Sequence, residues 1–217
     1  MEKDLVLQIL SLESVDSTQK YLKELIKQSD VKLPLAVVAK TQTDGVGSRD
    51  NSWDGLDGNL FLSFALHVET LPKDLKIESA SIYFAYLLKE VLESFKSKVF
   101  LKWPNDFYVN DKKIGGMITH IMEDKLICGV GINLLNAPDN FSILDVKISI
   151  DELINKYFKS IENNASWKQI FSKYKLEFQR NQNFFTHKNN LRISLENARL
   201  QDDGSIVVNG ERIYSLR

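Results

Sequence analysis

The segment Gln42-Thr43-Asp44-Gly45-Val46-Gly47-Ser48-Arg49-Asp50-Asn51-Ser52-Trp53 places two glycines, one guanidinium and one indole close together. Gly45 and Gly47 let backbone N–H groups turn toward an anion with no Cβ in the way. Arg49 adds a fixed charge, and Trp53 offers a stacking face to a flat ring. Such a set suits a phosphorylated nucleotide, but taken alone a glycine-bearing loop between two strands is more often simply a long turn. The segment runs into a strand and not a helix, which excludes the Walker and Rossmann geometries, because both seat the phosphate at a helix N-terminus.

A second chemical stretch is Lys102-Trp103-Pro104-Asn105-Asp106-Phe107-Tyr108-Val109-Asn110-Asp111-Lys112-Lys113-Ile114-Gly115-Gly116. With Asn110-Asp111 at the centre of a tight hairpin, Tyr108 lies opposite Lys113 and Asp106 opposite Gly115. Asp106, Tyr108, Lys113 and Gly115 then share one face. A carboxylate and an ammonium flanking a bare glycine leave room for a ligand, whereas glycines within a strand otherwise only weaken it. The bland alternative for Lys113 is a solvated side chain beside a turn.

A third stretch, Gly129-Val130-Gly131-Ile132-Asn133, alternates so that Gly129, Gly131 and Asn133 share a bare face ending in an amide. Cys128, Val130, Ile132 and Leu134 take the other face, so Cys128 is a small core hydrophobe and not a nucleophile. Asp16-Ser17-Thr18 supplies N-cap oxygens to a helix, and Ser17 and Thr18 have hydroxyls to present to a polar ligand.

These residues must be carried by regular elements. Leu5 to Leu12 has the pattern of a strand, followed by a helix with Tyr21, Leu22, Leu25 and Ile26 on one face. Leu35 to Thr41 and Asn59 to Val68 are strands separated by the polar loop Gln42 to Gly58. Ile77 to Phe95 is apolar around most of its circumference, the mark of a buried helix. Val99 to Trp103, Phe107 to Val109, Lys113 to Met122 and Leu126 to Leu135 continue as strands. Ser149 with Glu152 and Ser166 with Gln169 match the capping box and open helices near 150 to 161 and 167 to 182. Beyond His187, Leu191 to Leu195, Ala198 to Leu200, Ser205 to Val208 and Arg212 to Leu216 form short strands, a β module of roughly 30 residues.

The 217-residue chain has 43% hydrophobic and 26% charged residues, with 28 Lys plus Arg against 29 Asp plus Glu. This is the composition of a folded globular chain with one main core. A net charge of -1 advertises no nucleic-acid or anionic-membrane surface. One cysteine cannot close an intramolecular disulfide, and His67, His120 and His187 show no zinc-ligand spacing. A reducing cytoplasm fits best; no segment has the pattern of a signal peptide or a membrane span.

The series Asp16-Ser17-Thr18, Gln42 with Gly45-x-Gly47 and Trp53, Lys102-Trp103-Pro104-Asn105-Asp106 with Lys113-x-Gly115-Gly116, and Gly129-x-Gly131-x-Asn133 resembles the biotin protein ligases over most of residues 8 to 135. The resemblance implies an α+β fold: a mixed β-sheet flanked by helices, related to class II aminoacyl-tRNA synthetases. A catalytic biotin/ATP-binding domain would span residues 1–183, with a small SH3-like C-terminal β module at 184–217. It implies ATP-dependent activation of biotin as biotinyl-5'-AMP and transfer to a lysine of a biotin carboxyl carrier domain of acetyl-CoA carboxylase, in a cytoplasmic monomer or homodimer.

Carried over by position, Ser17, Thr18, Gln19 and Gln42 contact the biotin head, with Gly115, Gly116, Gly129 and Gly131 leaving backbone space. Lys113 is the catalytic residue, near the biotin carboxylate and the α-phosphate. Gly45, Val46, Gly47, Ser48, Arg49, Trp53, Asn105 and Asn133 take the ATP and adenylate side, and Asp106 helps hold Mg²⁺. The neighbouring alternatives are a lipoate-protein ligase and a non-catalytic biotin or nucleotide sensor.

Two departures from the family pattern stand out. Val46 and Ser48 occupy positions where the family loop usually carries arginines. Arg49 is outnumbered by Asp44, Asp50, Asp54 and Asp57, which weakens attraction for the triphosphate and the intermediate. The motifs also begin about 15 residues from Met1, which leaves no space ahead of them for the helix-turn-helix module of bifunctional relatives; no transcriptional repression is expected.

Overall fold

The structure, a computed structural model, describes residues 7–28, 30–47, 52–188 and 191–215. It divides into two compact units, one from residues 1–71 and 114–144, the other from 72–113 and 145–216.

In the first unit, β1 (Gln8–Val15) runs parallel to β2 (Leu35–Val46), joined through α1 (Thr18–Gln28). β1 starts later than its apolar pattern implied, because pairing with β2 sets its limits, from Gln8 opposite Leu35 to Val15 opposite Gln42; Leu5 and Val6 lie outside the described residues. On α1, Leu22 and Ile26 bury against Leu35 and Val37 of β2, Ala65 and Ile127. Tyr21, assigned by periodicity to this face, is 38% exposed.

β2 also pairs antiparallel with β3 (Ser52–Gly55) and β4 (Leu60–His67). The polar stretch from Gln42 is therefore not a plain loop: β2 continues through Val46 and returns as β3, with a register shift between Gln42 and Gly45. β4 pairs with β8 (Lys125–Ile132), and β8 with β7 (Lys112–Met122), both antiparallel. One parallel and several antiparallel ladders make the sheet mixed. β4 is buried on both faces as far as Leu66, hence its nearly unbroken apolar run.

In the second unit, α2 (Ala80–Ser94) is buried around its circumference, as its sequence predicted. A hairpin follows, β5 (Phe100–Lys102) antiparallel to β6 (Asp106–Val109). The two-residue Asn110-Asp111 turn has Asn110 at φ 54, a left-handed conformation that Asn tolerates. α3 (Ile150–Glu162) is capped by Ser149, and α4 (Trp167–Glu177) by the complete Ser166–Gln169 box. Asp74 adds a second cap by accepting from the N–H groups of Trp167 and Lys168, at 3.0 and 2.9 Å.

Residues 184–215 group with these helices. β9 (Phe185–Lys188) pairs with β10 (Leu191–Ser194), and β11 (Arg199–Leu200), β12 (Ile206–Val208) and β13 (Glu211–Ile213) form a second small sheet. β9 had no legible alternation, since Thr186 is its one buried residue. Trp103 Nε1 donates to Gly204 O at 2.7 Å, Ser79 Oγ to Asp203 O at 2.6 Å, and Trp167 Nε1 to Asp202 O at 2.8 Å, tying the tail to β5, α2 and α4.

Candidate active-site residues

The first unit holds a buried polar cluster that carries no ionisable side chain. The start of α1 brings Ser17, Thr18 and Gln19 inward, all less than a tenth exposed. Ser17 Oγ receives the Lys20 N–H at 3.4 Å, so its helix-capping role is present. The Thr18 N–H and Oγ1 both donate to Gln42 Oε1, at 2.8 and 3.1 Å, and Thr18 Oγ1 also lies 2.9 Å from Ser63 Oγ.

Gln42 is aimed by the bulged pairing of β2 with β3. Gly55 stands opposite it, and a Cβ at Gly55 would fall 2.0 Å from the Gln42 carbonyl oxygen, so no other residue permits this approach. A Cβ at Gly129 would sit 3.4 Å from Gln19 Nε2, Ser63 Oγ and Ile118 Cγ1. Neutral donors and acceptors around bare backbone suit a small head group that hydrogen-bonds without charge.

Beside this cluster Trp53 lies edge-on to Phe141, with ring centroids 6.2 Å apart. Ser52, Trp53, Asp54, Asn133, Pro138 and Phe141 line a solvent-open cleft of about 340 Å³. The space over Gly131 is used by the indole, since a Cβ there would lie 2.7 Å from Trp53 Cε2 and Nε1. Asn133 is 1% exposed; its N–H donates to Ile114 O at 2.7 Å, its Nδ2 to Ser142 O at 3.2 Å, and its carbonyl receives the Leu144 N–H at 2.8 Å. The amide thus holds the segment that carries Pro138 and Phe141. Val46 is 37% exposed and paired to Ser52, and Gly47 follows it at the end of β2. Ser48 and Arg49 lie outside the described residues.

One placement read from the sequence needs correction. Gly115 pairs with Ile132, and Gly116 with Gly131. Gly116 therefore shares the face of Gly129 and Gly131, while Gly115 points with Ile132 to the other side. The gap beside Gly115 is filled by protein, as a Cβ there would meet Gly131 O at 2.4 Å and Ile132 Cδ1 at 2.5 Å. Counting along one hairpin could not show which residue of β8 fills the space. Cys128 is fully buried, and burial pushes its thiol pKa well up, consistent with an inert core role.

The second unit carries a charge clamp. Lys102 and Asp106 are direct partners across the β5–β6 hairpin. Lys113 Nζ lies 2.7 Å from Asp106 Oδ1, and Lys102 Nζ 3.1 Å from Asp106 Oδ2. The Asp106 side chain is 16% exposed, against 26% for Lys113 and 11% for Lys102. Burial by itself would raise the Asp106 carboxyl, but Lys113 and then Lys102 outweigh it and hold it well below the ordinary carboxylate range. Asn105, next in line, is 2% exposed.

The Mg²⁺ role expected of Asp106 does not fit this arrangement, because each carboxylate oxygen already faces an ammonium. Among the described residues no three His, Cys, Asp or Glu side chains gather into a metal site. Sequence patterning also passed over four positioning residues. Glu177 Oε1 accepts the Leu101 N–H at 2.8 Å and Asn181 Oδ1 the Trp103 N–H at 2.6 Å, so two side chains act as the missing neighbour strand of β5. Asn59 Oδ1 accepts from the N–H groups of Leu134, Leu135 and Asn136 at 2.9 to 3.2 Å. Ser63, a lone hydroxyl in the apolar run of β4, was the one with a visible signal.

The family model for the biotin/lipoate A/B protein ligase family matches residues 11–134. The chain belongs to this family. Its fold is similar to biotin acetyl coenzyme A carboxylase synthetase from Helicobacter pylori, a structure with bound biotinylated ATP. The TM-score is 0.92 at 38% identity, over 96% of this chain and 100% of that one. A mutant of the biotin protein ligase from Aquifex aeolicus in complex with biotin gives a TM-score of 0.72 at 26% identity, covering 96% of this chain and 95% of that one. The bifunctional ligase/repressor BirA of Escherichia coli is 32% identical over 127 residues, which are 55% of this chain and 38% of that protein. The chain therefore spans well under half the length of this relative. The neighbours share the mixed-sheet ligase fold with its strand-rich C-terminal region, as the sequence motifs implied. No helix among the described residues is long and apolar enough to cross a membrane.

Proposed function

We propose that this protein is an ATP-dependent biotin protein ligase. The biotin carboxylate attacks the α-phosphate of ATP, giving biotinyl-5'-adenylate and pyrophosphate; the amine of a carrier lysine then attacks the acyl carbon, and AMP leaves. The observation that carries this is the Lys102–Asp106–Lys113 clamp, in a chain similar over nearly its full described length to a ligase holding biotinylated ATP.

Ser17, Thr18, Gln19 and Gln42 hydrogen-bond the uncharged ureido ring, with Gly116 and Gly129 giving it backbone clearance, while the space over Gly131 seats the Trp53 indole. Lys113 places a point charge where the carboxylate approaches and negative charge develops on the phosphoryl oxygens, an interaction that grows toward the transition state. Trp53 takes the adenine, with Asn105, Asn133 and the residues Gly45, Val46, Gly47, Ser48 and Arg49 on the adenylate side. No step is assigned to a metal held by Asp106. The acceptor is a biotin carboxyl carrier domain of acetyl-CoA carboxylase, in the cytoplasm.

Incubation with biotin, ATP, Mg²⁺ and a carrier domain, followed by intact-mass measurement, tests the proposal. The carrier should gain one biotinyl group, with release of AMP and pyrophosphate. Because the family includes lipoate ligases, a parallel reaction with lipoate separates the two substrates. Binding of both ligands without pyrophosphate release would favour a sensor.

A further inference from the structure

We propose that Asp106 is a positioning residue: a counter-ion that fixes the ammonium of Lys113 and is itself held by Lys102, not a ligand for a metal ion. The inference rests on the ligase function proposed above and assigns a role within it.

Three features of the second unit support this. Both carboxylate oxygens are engaged, Oδ1 by Lys113 Nζ at 2.7 Å and Oδ2 by Lys102 Nζ at 3.1 Å. Lys102 is in turn fixed, because it faces Asp106 across the hairpin and its ammonium stands 5.5 Å from the centroid of the Tyr108 ring. The strand that carries Lys102 cannot slide, since Glu177 and Asn181 accept the backbone N–H groups of Leu101 and Trp103 on either side of it.

Two ammonium groups against one carboxylate leave the cluster with one net positive charge, in a place largely shielded from water. That surplus is what an approaching substrate carboxylate and phosphate require. A divalent cation at the same oxygens would have to displace one ammonium and would be repelled by the other. A lysine on a flexible four-carbon stem also needs such a tether if it is to meet one reacting atom without first losing rotamer freedom.

The test compares wild type with Asp106→Asn, Asp106→Asn/Lys102→Met and Lys102→Met. Adenylate formation is followed for kcat, KM for biotin and the Mg²⁺ concentration giving half-maximal rate. A second measurement, mass-spectrometric amine labelling of Lys113, is made on the substrate-free protein. Asp106→Asn should lower kcat about 10- to 100-fold through a misplaced ammonium, with KM for biotin and the Mg²⁺ requirement within about twofold of wild type. The double variant restores the single net charge and should recover about fivefold or more of the loss, as coupled residues do. Lys113 should label about threefold faster once its partner carboxylate is gone.

A roughly tenfold higher Mg²⁺ requirement in Asp106→Asn, with no recovery in the double variant, would assign the carboxylate to the metal and overturn the proposal. If Asp106→Asn does not fold, Lys102→Met decides. It frees one carboxylate oxygen and should leave the Mg²⁺ requirement unchanged; a tenfold lower requirement would again overturn the counter-ion role. Unchanged Lys113 labelling in Asp106→Asn would refute the clamp. A wild-type chain that forms no adenylate would overturn the ligase function, and with it the catalytic role of the clamp, while labelling still reports on the ion pair itself.

Discussion

Gly131→Ala adds a single carbon at the point where sheet and indole meet. The new Cβ would lie 2.7 Å from Cε2 and Nε1 of Trp53, where ordinary contact begins at 3.4 Å. The β8 backbone is held by ladders on both sides, through Phe61 and Gly116, so the indole must move and not the strand. The ring must shift by about 0.7 Å or more, and forced overpacking of this kind costs about 1–3 kcal/mol. Base stacking on an aromatic side chain is worth a similar ~1–3 kcal/mol, so loss of the seated ring should weaken ATP binding about 5- to 150-fold. Biotin affinity should change less than about twofold, because the Thr18–Gln42–Ser63 hydrogen bonds do not involve the indole. Isothermal titration with each ligand, beside circular dichroism to verify folding, makes the comparison. An ATP affinity equal to wild type in a folded Gly131→Ala protein would refute the argument that the seating of Trp53 on bare backbone builds the nucleotide cleft.

Lys113→Ala should cut the rate of adenylate formation by about 10²- to 10³-fold while weakening biotin binding far less, because its electrostatic contribution is largest in the transition state; equal losses in both would reduce it to a binding contact. Asn181→Ala strands the buried Trp103 N–H, now bonded at 2.6 Å. It should cost ~1–3 kcal/mol and lower the melting temperature by several degrees in scanning calorimetry, and an unaltered melting curve would show that β5 is held by other means. Burial would by itself raise the Asp203 carboxyl, but Ser205 and Arg212 outweigh it, so its folded pKa is depressed. Its stabilisation is therefore present above about pH 4, the unfolded value, and is lost as pH falls through the folded one. The stability gap between wild type and Asp203→Asn should hold above about pH 4 and narrow progressively as pH falls below it, through the depressed folded pKa, in denaturant titrations; a constant gap would contradict that. Ser48→Arg adds a cation to a loop whose charge balance is acidic, and release of biotinyl-adenylate in stopped-flow measurements should slow. An unchanged or faster rate counts against an electrostatic hold.

Much was legible in the amino-acid order because it rests on local rules. Periodicity marked α2 as buried, the Ser166–Gln169 spacing is a complete capping box, and strand alternation placed Cys128 in the core, opposite Gly129 and Gly131 in facing. Asn110-Asp111 announced its own turn, and that turn put Asp106 and Lys113 on one face; the sequence reading left a ligand gap between the two charges, where the structure closes them into an ion pair. What depends on a distant segment was not legible. The continuation of β2 into a ribbon with β3 is set by backbone pairing and carries no side-chain pattern. The direction of Gly115 depends on Ile132, which is 17 positions away and chooses the face. Lys102 becomes the second partner of Asp106 because the short β5–β6 hairpin sets the two opposite each other, whereas Glu177 and Asn181 as substitutes for a neighbour strand arise from packing between elements far apart in sequence. Residue types alone established that a carboxylate, an ammonium and bare glycines occur at ligase spacing. Only tertiary structure decided which of them face each other, because a side chain's electrostatic partner is set by distance in space and not by distance along the chain.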